Sequence, residues 1–163
     1  MLEDSLRAVE LIRDVNGPIV DVGSGGGAPG IPGAVSLPER EVVLLEAEQR
    51  KCKFLERWAP ASARVVWGRA EEQATDWAGV ALAKALAPPV VAAEWCLPLV
   101  RPGGVAILWV GETADPEAVA RVAPRLAAEL EPGPDGLIVL RKLAPTPAGF
   151  PRRVGVARKR PLE

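Results

Sequence analysis

The sequence contains no histidine and no tyrosine, and aromatic residues make up only 4% of its 163 residues. Without histidine, the chain cannot build a histidine-based zinc site or a Ser-His-Asp hydrolytic triad. Its two cysteines, Cys52 and Cys96, lie in separate helical patterns without the spacing of a metal-binding motif. We therefore expect no metal site, and we interpret both thiols as small buried apolar groups in a reducing compartment.

The chain also lacks a signal-peptide pattern and any apolar run long enough to cross a bilayer. These absences predict a cytoplasmic protein that does not associate with membranes. A chain of 163 residues is most simply one domain, and its 48% apolar content is ordinary for a globular protein. We expect it to be a monomer.

Charge is distributed unevenly along the chain. Residues 1–140 hold 13 basic and 20 acidic residues, whereas residues 141–163 hold seven basic residues and one acidic residue. An acidic body with a basic end is typical of proteins that bind a polyanion. The alternative interpretation is a solvated segment that keeps the protein soluble.

The most informative stretch is a glycine-rich loop that follows a short apolar strand. The sequence IVDVGSGGGAPG places Asp21 two residues before Gly23, and Gly25 and Gly27 follow at alternate positions. Glycine tolerates positive φ angles and lets the backbone approach a ligand closely. The helix that we predict after the loop adds free N–H groups and the positive end of a dipole.

Two classes of ligand bind to loops of this kind. Dinucleotide enzymes place a pyrophosphate there. S-adenosylmethionine (SAM) carries an ammonium and a sulfonium but no phosphate, so the carboxylate of Asp21 suits SAM and would repel a pyrophosphate. We favour SAM as the ligand, with a nucleotide and a purely structural turn as the alternatives.

An acidic residue follows the second predicted strand. Residues 41–46 form a nearly continuous apolar run that ends at Glu46, 19 residues after Gly27. An acid about 20 residues after a glycine loop commonly holds a ribose diol. We therefore expect Glu46 to bind ribose, with an ordinary acid at a strand end as the alternative.

Further candidates follow the third and fourth predicted strands. After the third strand, Ala70 and the backbone of Glu71 are expected to border an adenine ring, with Arg69 near the rim. Lys84 is the only charge in the apolar fourth strand. It lies toward the carboxyl end, where open α/β sheets bind ligands.

Strands and helices alternate along the chain, which predicts a mostly parallel sheet with helices on both faces and a site beside the first strand. The predicted strands are residues 19–22, 41–46, 63–67, 79–87, 105–110 and 137–143, and the predicted helices are residues 1–13, 28–35, 49–58, 88–100 and 116–130. We expect a turn at residues 101–104. Residues 1–143 should form the folded domain, and residues 144–163 an extended, basic, proline-rich tail.

The glycine loop and five further segments resemble one family. The six segments are DVGSGGGAPGIPGAV, LLEAEQRKCKFL, GRAEE, AKALAP, LPLVRPGG and TPAGFPRRVGVARKRPL. They extend over nearly the whole chain and resemble the bacterial 16S rRNA guanine-N7 methyltransferases of the RsmG (GidB) type. Members of this family usually begin with a longer helical region, so we expect a short variant that lacks most of it.

The resemblance implies a Rossmann-like class I SAM-dependent methyltransferase fold, with N7 of a guanine in 16S rRNA as the methyl acceptor. The SAM contacts implied by the motifs are Gly23, Ala28, Ala70, Glu71 and Lys84, with Glu46 on the ribose. Lys84 stands where the family has arginine, and Arg69 falls where the family also has arginine; we expect both to be catalytic. Guanine N7 has a lone pair and no proton to lose, so direct in-line displacement needs no general base.

The implied partner is 16S rRNA or the small ribosomal subunit. We expect the basic tail to bind phosphates through Arg152, Arg153, Arg158, Lys159 and Arg160. Two alternatives are a SAM-dependent methyltransferase of another RNA or a small molecule, and a catalytically silent SAM-binding paralogue.

Overall fold

A computed structural model describes residues 2–163, and its centre is a seven-stranded sheet of order β3-β2-β1-β4-β5-β7-β6. The strands are β1 (Ile19–Val22), β2 (Val42–Glu46), β3 (Ala63–Trp67), β4 (Ala78–Lys84), β5 (Val100–Trp109), β6 (Ala128–Glu131) and β7 (Leu137–Lys142). The first five strands pair in parallel. β7 runs antiparallel to both β5 and β6. The prediction of a mostly parallel sheet is confirmed.

Helices cover both faces of the sheet, as predicted. They are α1 (Leu2–Leu6), α2 (Val9–Ile12), α3 (Gly30–Ser36), α4 (Gln49–Trp58), α5 (Pro89–Cys96), α6 (Pro116–Val122) and α7 (Val156–Lys159). Side chains of α2, α3 and α4 pack with one core cluster, and those of α5 and α6 pack with the other. Alternate residues of each central strand join opposite clusters, because successive side chains in a strand point to opposite faces.

The amino-terminal segment differs from the single amphipathic helix predicted at residues 1–13. The structure has two short helices, α1 and α2, with a turn between them, and Met1 lies outside the described residues. Val9 and Ile12 of α2 are buried against the sheet. Asp4 of α1 instead reaches Lys84 at the end of β4.

The prediction of one helix at residues 116–130 is correct for its first half and wrong for its second half. Helix α6 ends at Val122, a 3₁₀ turn spans Ala123–Leu126, and β6 follows. Pro124 lacks the N–H that an α-helix needs, and Ala127 has a left-handed φ of 55° that reverses the chain. Pairing with β7 then outweighs the helix propensity of an alanine-rich segment.

The turn predicted at residues 101–104 is instead part of β5, which runs from Val100 to Trp109. The register with β4 shifts between Ala78 and Val80, which accommodates the glycines of this stretch as an irregularity. A Cβ at Gly104 would lie 2.4 Å from the carbonyl oxygen of Gly79. Glycine at this position therefore permits the close approach of the two strands.

Residues 144–163 are not the extended tail that the prolines and basic residues predicted. Ala157 and Leu162 are buried, and Phe150 packs against the core cluster that contains α5. The buried ammonium of Lys142 donates to Asp76 and Thr146, with N···O distances of 3.0 and 2.9 Å. These contacts hold the segment against the sheet.

No helix in residues 2–163 is both long enough and apolar enough to span a bilayer.

Candidate active site

A cavity of about 450 Å³ opens at the carboxyl ends of β1, β2, β3 and β4. It lies where β1 and β4 are neighbours, and the strand order reverses at that position. Such a switch point is where open α/β sheets bind ligands. The cavity lies where the sequence predicts the site, and its volume falls in the range of small-molecule pockets.

Most of the residues predicted for the site line this cavity. They are Gly23, Gly25, Ala28, Glu46, Arg69, Ala70, Glu71 and Lys84. Asp21 and Gly27 are not on its wall, because both face the protein interior behind the loop. A Cβ at Gly27, for example, would lie 2.5 Å from Cδ1 of Ile31.

The buried carboxylate of Asp21 shapes the loop from behind. Its Oδ2 accepts a hydrogen bond from the N–H of Gly30 at 2.9 Å, at the start of α3. Burial raises the pKa of Asp21 to about 7, although the Gly30 hydrogen bond acts in the opposite direction. Asp21 therefore fixes the position of the helix start relative to β1.

Glu46 connects the glycine loop to α4. Its Oε2 accepts from the N–H of Gly25 at 2.8 Å, and its Oε1 accepts from the N–H of Glu48 at 2.9 Å. The side chain is buried at the end of β2 and lies on the cavity wall. Its carboxylate is thus held in place by two backbone donors and still faces the cavity.

Lys84 is paired with an acidic residue that sequence reasoning did not connect to the site. Its Nζ lies 2.5 Å from Oδ2 of Asp4 on α1. This hydrogen bond to Lys84 is the main reason that the pKa of Asp4 lies below its ordinary value. The indole N–H of Trp109 also donates to the carbonyl oxygen of Asp4, at 3.0 Å. Helix α1 therefore orients the lysine at the cavity wall.

Sequence reasoning also missed Trp95, which lines the cavity together with Arg158 of α7. The guanidinium carbon of Arg158 lies 5.4 Å from the centre of the Trp95 ring. The indole Nε1 of Trp95 is buried and has no hydrogen-bond partner among residues 2–163. No motif marks this tryptophan, because a tertiary contact between α5 and α7 creates its environment.

The five basic residues predicted to bind phosphate have different environments. Arg152 makes two hydrogen bonds of 2.5 Å to the buried carboxylate of Glu94. A phosphate contact by Arg152 would have to compete with this pair. Arg153, Lys159 and Arg160 are exposed, as is Arg158 at the cavity. Their binding to phosphate stays a prediction.

The cysteines are buried and free, as predicted. Burial raises the pKa of the Cys96 thiol above its ordinary value, which disfavours the reactive thiolate. In the described part of the chain, no three His, Cys, Asp or Glu side chains are grouped as metal ligands.

Two solved methyltransferase structures resemble the fold of this chain. A 16S rRNA methyltransferase of T. thermophilus (RsmC), in complex with AdoMet and guanosine, aligns with a TM-score of 0.62 and 15% identity, covering 88% of this chain and 39% of that chain. A predicted O-methyltransferase of Agrobacterium tumefaciens aligns with a TM-score of 0.63 and 18% identity, covering 87% and 86%. The chain therefore has the Rossmann-like fold of class I SAM-dependent methyltransferases.

Sequence comparison identifies the family. Residues 1–130 match the family model GidB, described as rRNA small subunit methyltransferase G. The ribosomal RNA small subunit methyltransferase G of Synechococcus elongatus is 37% identical over 187 residues, covering 99% of this chain and 76% of that protein. The protein of the same name from Rubrobacter xylanophilus is 39% identical over 170 residues, covering 90% and 65%. This chain belongs to the rRNA small subunit methyltransferase G (GidB) family.

Proposed function

We propose that this protein transfers the methyl group of SAM to N7 of a guanine in 16S rRNA. The proposal rests mainly on the cavity at the switch point, which is lined by the glycine loop and by Glu46. It agrees with the family to which the chain belongs. We further propose that the protein acts in the cytoplasm as a monomer.

The cavity wall suits SAM in shape and in charge. A Cβ at Gly26 would meet no atom within 4 Å, so the loop leaves open space beside its backbone. Glu46 and Glu71 carry carboxylates on the wall, which suit a cationic ligand with ribose hydroxyls. Ala70 is small and leaves room for a flat adenine ring. Asp21 supports this arrangement indirectly, by holding Gly30 at the helix start.

The chemistry requires orientation more than proton transfer. When bound, SAM supplies an electrophilic methyl group on its sulfonium. Guanine N7 has a free lone pair, so no protein group has to remove a proton, and a chain without histidine or tyrosine is adequate. The contribution of the protein is to hold donor and acceptor in line and to exclude water, which accounts for large rate effects.

Lys84 is the side chain that we assign to positioning the reacting groups. It lies on the cavity wall at the end of β4, and Asp4 fixes its ammonium in one orientation. From this position the ammonium would donate hydrogen bonds to acceptor oxygens of the reactants when they are bound. Arg69 also lines the cavity; its side chain is exposed and has no partner among residues 2–163, and it is assigned to the incoming RNA.

The exposed cations of the carboxyl-terminal segment are assigned to the RNA backbone. They are Arg153, Arg158, Lys159 and Arg160. Arg158 extends this group to the cavity itself. Arg152 is not assigned to the RNA, because its Nε and Nη2 already donate hydrogen bonds to the carboxylate of Glu94. We assign it to holding the carboxyl-terminal segment in place.

Transfer of labelled methyl from SAM to small ribosomal subunits tests the proposal. Gly26→Leu places a side chain in the open space at the cavity wall and should abolish both SAM binding and transfer. Gly111→Leu is the matched control, because a Cβ there also meets no atom within 4 Å but lies outside the cavity. Equal transfer by the two variants would contradict the assignment of this cavity to SAM.

A further inference from the structure

Three large aromatic side chains are exposed although the chain has few aromatic residues. The exposed fractions of Phe54, Trp58 and Trp67 are 49%, 59% and 62%. The remaining aromatic residues pack against the core; they are Trp77, Trp95, Trp109 and Phe150. Large exposed apolar groups that collect in one region mark interaction surfaces.

The three side chains lie on one side of the molecule, on α4 and the edge strand β3. Phe54 and Trp58 are one helical turn apart, with ring centroids separated by 6.4 Å. The indole N–H of Trp67 donates to the carbonyl oxygen of Ala47, immediately before α4, at 3.0 Å. With a helical rise of about 1.5 Å per residue, the segment from Ala47 to Trp58 extends about 17 Å.

The alternation of β3 supports the same placement. Val65 packs in the core cluster that contains Leu55 of α4. Trp67 is two residues further along the strand, so it projects from the same face of the sheet. We call this surface the α4–β3 face; it consists of Phe54, Trp58 and Trp67 with the basic residues Arg50, Lys51, Lys53 and Arg57.

The α4–β3 face is basic in a body that is acidic overall. Residues 48–69 contain six basic and two acidic residues, whereas residues 1–140 contain 13 basic and 20 acidic residues. One of the two acids, Glu48, is paired with Lys51 at 2.9 Å. The guanidinium of Arg57 lies 5.7 Å from the centre of the Trp58 ring, so cation and aromatic ring are presented together.

The face is also continuous with the cavity. Lys51 of α4 lines the cavity, and so do Gly68 and Arg69, the two residues that follow Trp67. A chain-like ligand that enters the cavity can therefore continue along α4.

We propose, on the basis of the proposed function, that the α4–β3 face binds single-stranded RNA that flanks the methylated guanine. Exposed aromatic rings provide platforms on which bases stack, and the interspersed cations bind the phosphates between them. A second copy of the chain is a poor occupant, because the same positive charges would face each other across a twofold axis.

The test measures binding of a fluorescent 12-nucleotide single-stranded RNA at fixed salt concentration. Trp58→Ala/Trp67→Ala should weaken binding about tenfold or more, because two stacking platforms are lost. Trp58→Phe/Trp67→Phe keeps both rings and should retain most of the affinity. Similar affinities for the wild-type protein and the double alanine variant would overturn the proposal.

A pair of charge reversals isolates the electrostatic part. Arg57→Glu should weaken RNA binding and reduce its salt dependence. Arg125→Glu, an exposed arginine near β6 at the opposite edge of the sheet, is the matched control and should leave binding unchanged. Equal effects of the two reversals would show a general charge effect and contradict a defined face.

Two additional measurements keep the interpretation unambiguous. SAM affinity should be unchanged in every variant, which shows that the fold is intact. Sedimentation should show one monomeric species for wild type and variants; a wild-type dimer that the alanine variant abolishes would overturn the proposal in favour of self-association. Oligonucleotide binding does not require methyl transfer, so failure of transfer to rRNA with intact binding by this face would refute the proposed function separately.

Discussion

At the scale of single residues, the sequence motif predicted which side chains gather but not which atoms they contact. The acid before the glycines was expected to face the cofactor, yet Asp21 is buried and accepts from Gly30 behind the loop. Glu46 reaches the cavity, but two backbone N–H groups already hold its carboxylate. The spacing of residues in the sequence predicts the strand end at which a residue lies. The direction of its side chain depends on the folded conformation of the loop, which the spacing does not predict.

Burial of Asp21 makes the stability of the fold depend on pH. The carboxyl has a reference pKa of 3.8 and a folded-state pKa of about 7. Between these values the folded chain keeps a proton that the unfolded chain has released. The free energy of unfolding therefore falls as pH rises through this window, and the destabilisation is fully present above pH 7.

The variant Asp21→Asn tests this dependence. Asparagine keeps an oxygen that accepts from Gly30 but does not titrate. On raising the pH from 5 to 8, wild type should lose about 2–3 kcal/mol more unfolding free energy than the variant. Urea denaturation at several pH values measures the difference, and parallel pH profiles would show that Asp21 is not perturbed by burial.

A second prediction concerns Lys84. Lys84→Met removes the ammonium at the cavity wall and should lower kcat for methyl transfer about 100-fold, because the reacting groups are no longer held in line. Lys84→Arg, which restores the charge, should recover most of the rate. Asp4→Asn should have an intermediate effect, since the lysine remains but loses its anchor. An unchanged kcat in Lys84→Met would contradict the assignment of Lys84 to positioning the reacting groups.

At the scale of elements, the parallel core of the sheet and β7 were predictable, whereas β6 and the fold of residues 144–163 were not. The runs that became β1, β2 and β3 are apolar and lie between clear turn signals, so local pattern and final structure agree. β6 was hidden in an alanine-rich segment that favours a helix, and only pairing with β7 makes it a strand. Composition alone predicts an extended, basic tail at residues 144–163, because it does not show the tertiary contacts that hold this segment against the sheet.

The structured carboxyl-terminal segment depends on the pair between Arg152 and the buried Glu94. Arg152→Ala leaves this carboxylate buried without its partner and should lower the free energy of unfolding by about 3 kcal/mol. The double variant Glu94→Gln/Arg152→Ala should recover more than half of that loss, because no unpaired charge remains.

Arg153→Ala is the matched control for this pair. Arg153 is exposed, so its removal should change stability by less than about 0.5 kcal/mol. Urea denaturation of the three variants provides the comparison. If Arg152→Ala were as stable as Arg153→Ala, the pair would contribute nothing to the segment.

At the scale of the whole molecule, basic residues are concentrated next to the cavity, and acidic residues predominate elsewhere. The basic residues of α4 and of the carboxyl-terminal segment both adjoin the cavity through Lys51 and Arg158. The remainder of the body is acidic, which keeps nonspecific contact with RNA low. The sequence showed the basic end of the chain, but only the fold brings that end to the cavity.

This distribution predicts the salt dependence of RNA binding. Replacing Arg153, Lys159 or Arg160 by alanine should each reduce the slope of log K against log salt by about 0.7–0.9, which is the contribution of one phosphate contact. Binding titrations at several salt concentrations measure the slope, with Arg125→Ala as a control that should not change it. Slopes identical to wild type in all three variants would place the RNA elsewhere.

The central claim is methylation of guanine N7 in 16S rRNA by this cavity. The most direct measurement incubates the protein with labelled SAM and small ribosomal subunits from a strain that lacks the modification, then digests the RNA to nucleosides. We predict that the label is recovered as 7-methylguanosine with wild-type protein and is absent with Gly26→Leu. Label in any other nucleoside, or no transfer by a protein that binds SAM, would contradict the claim.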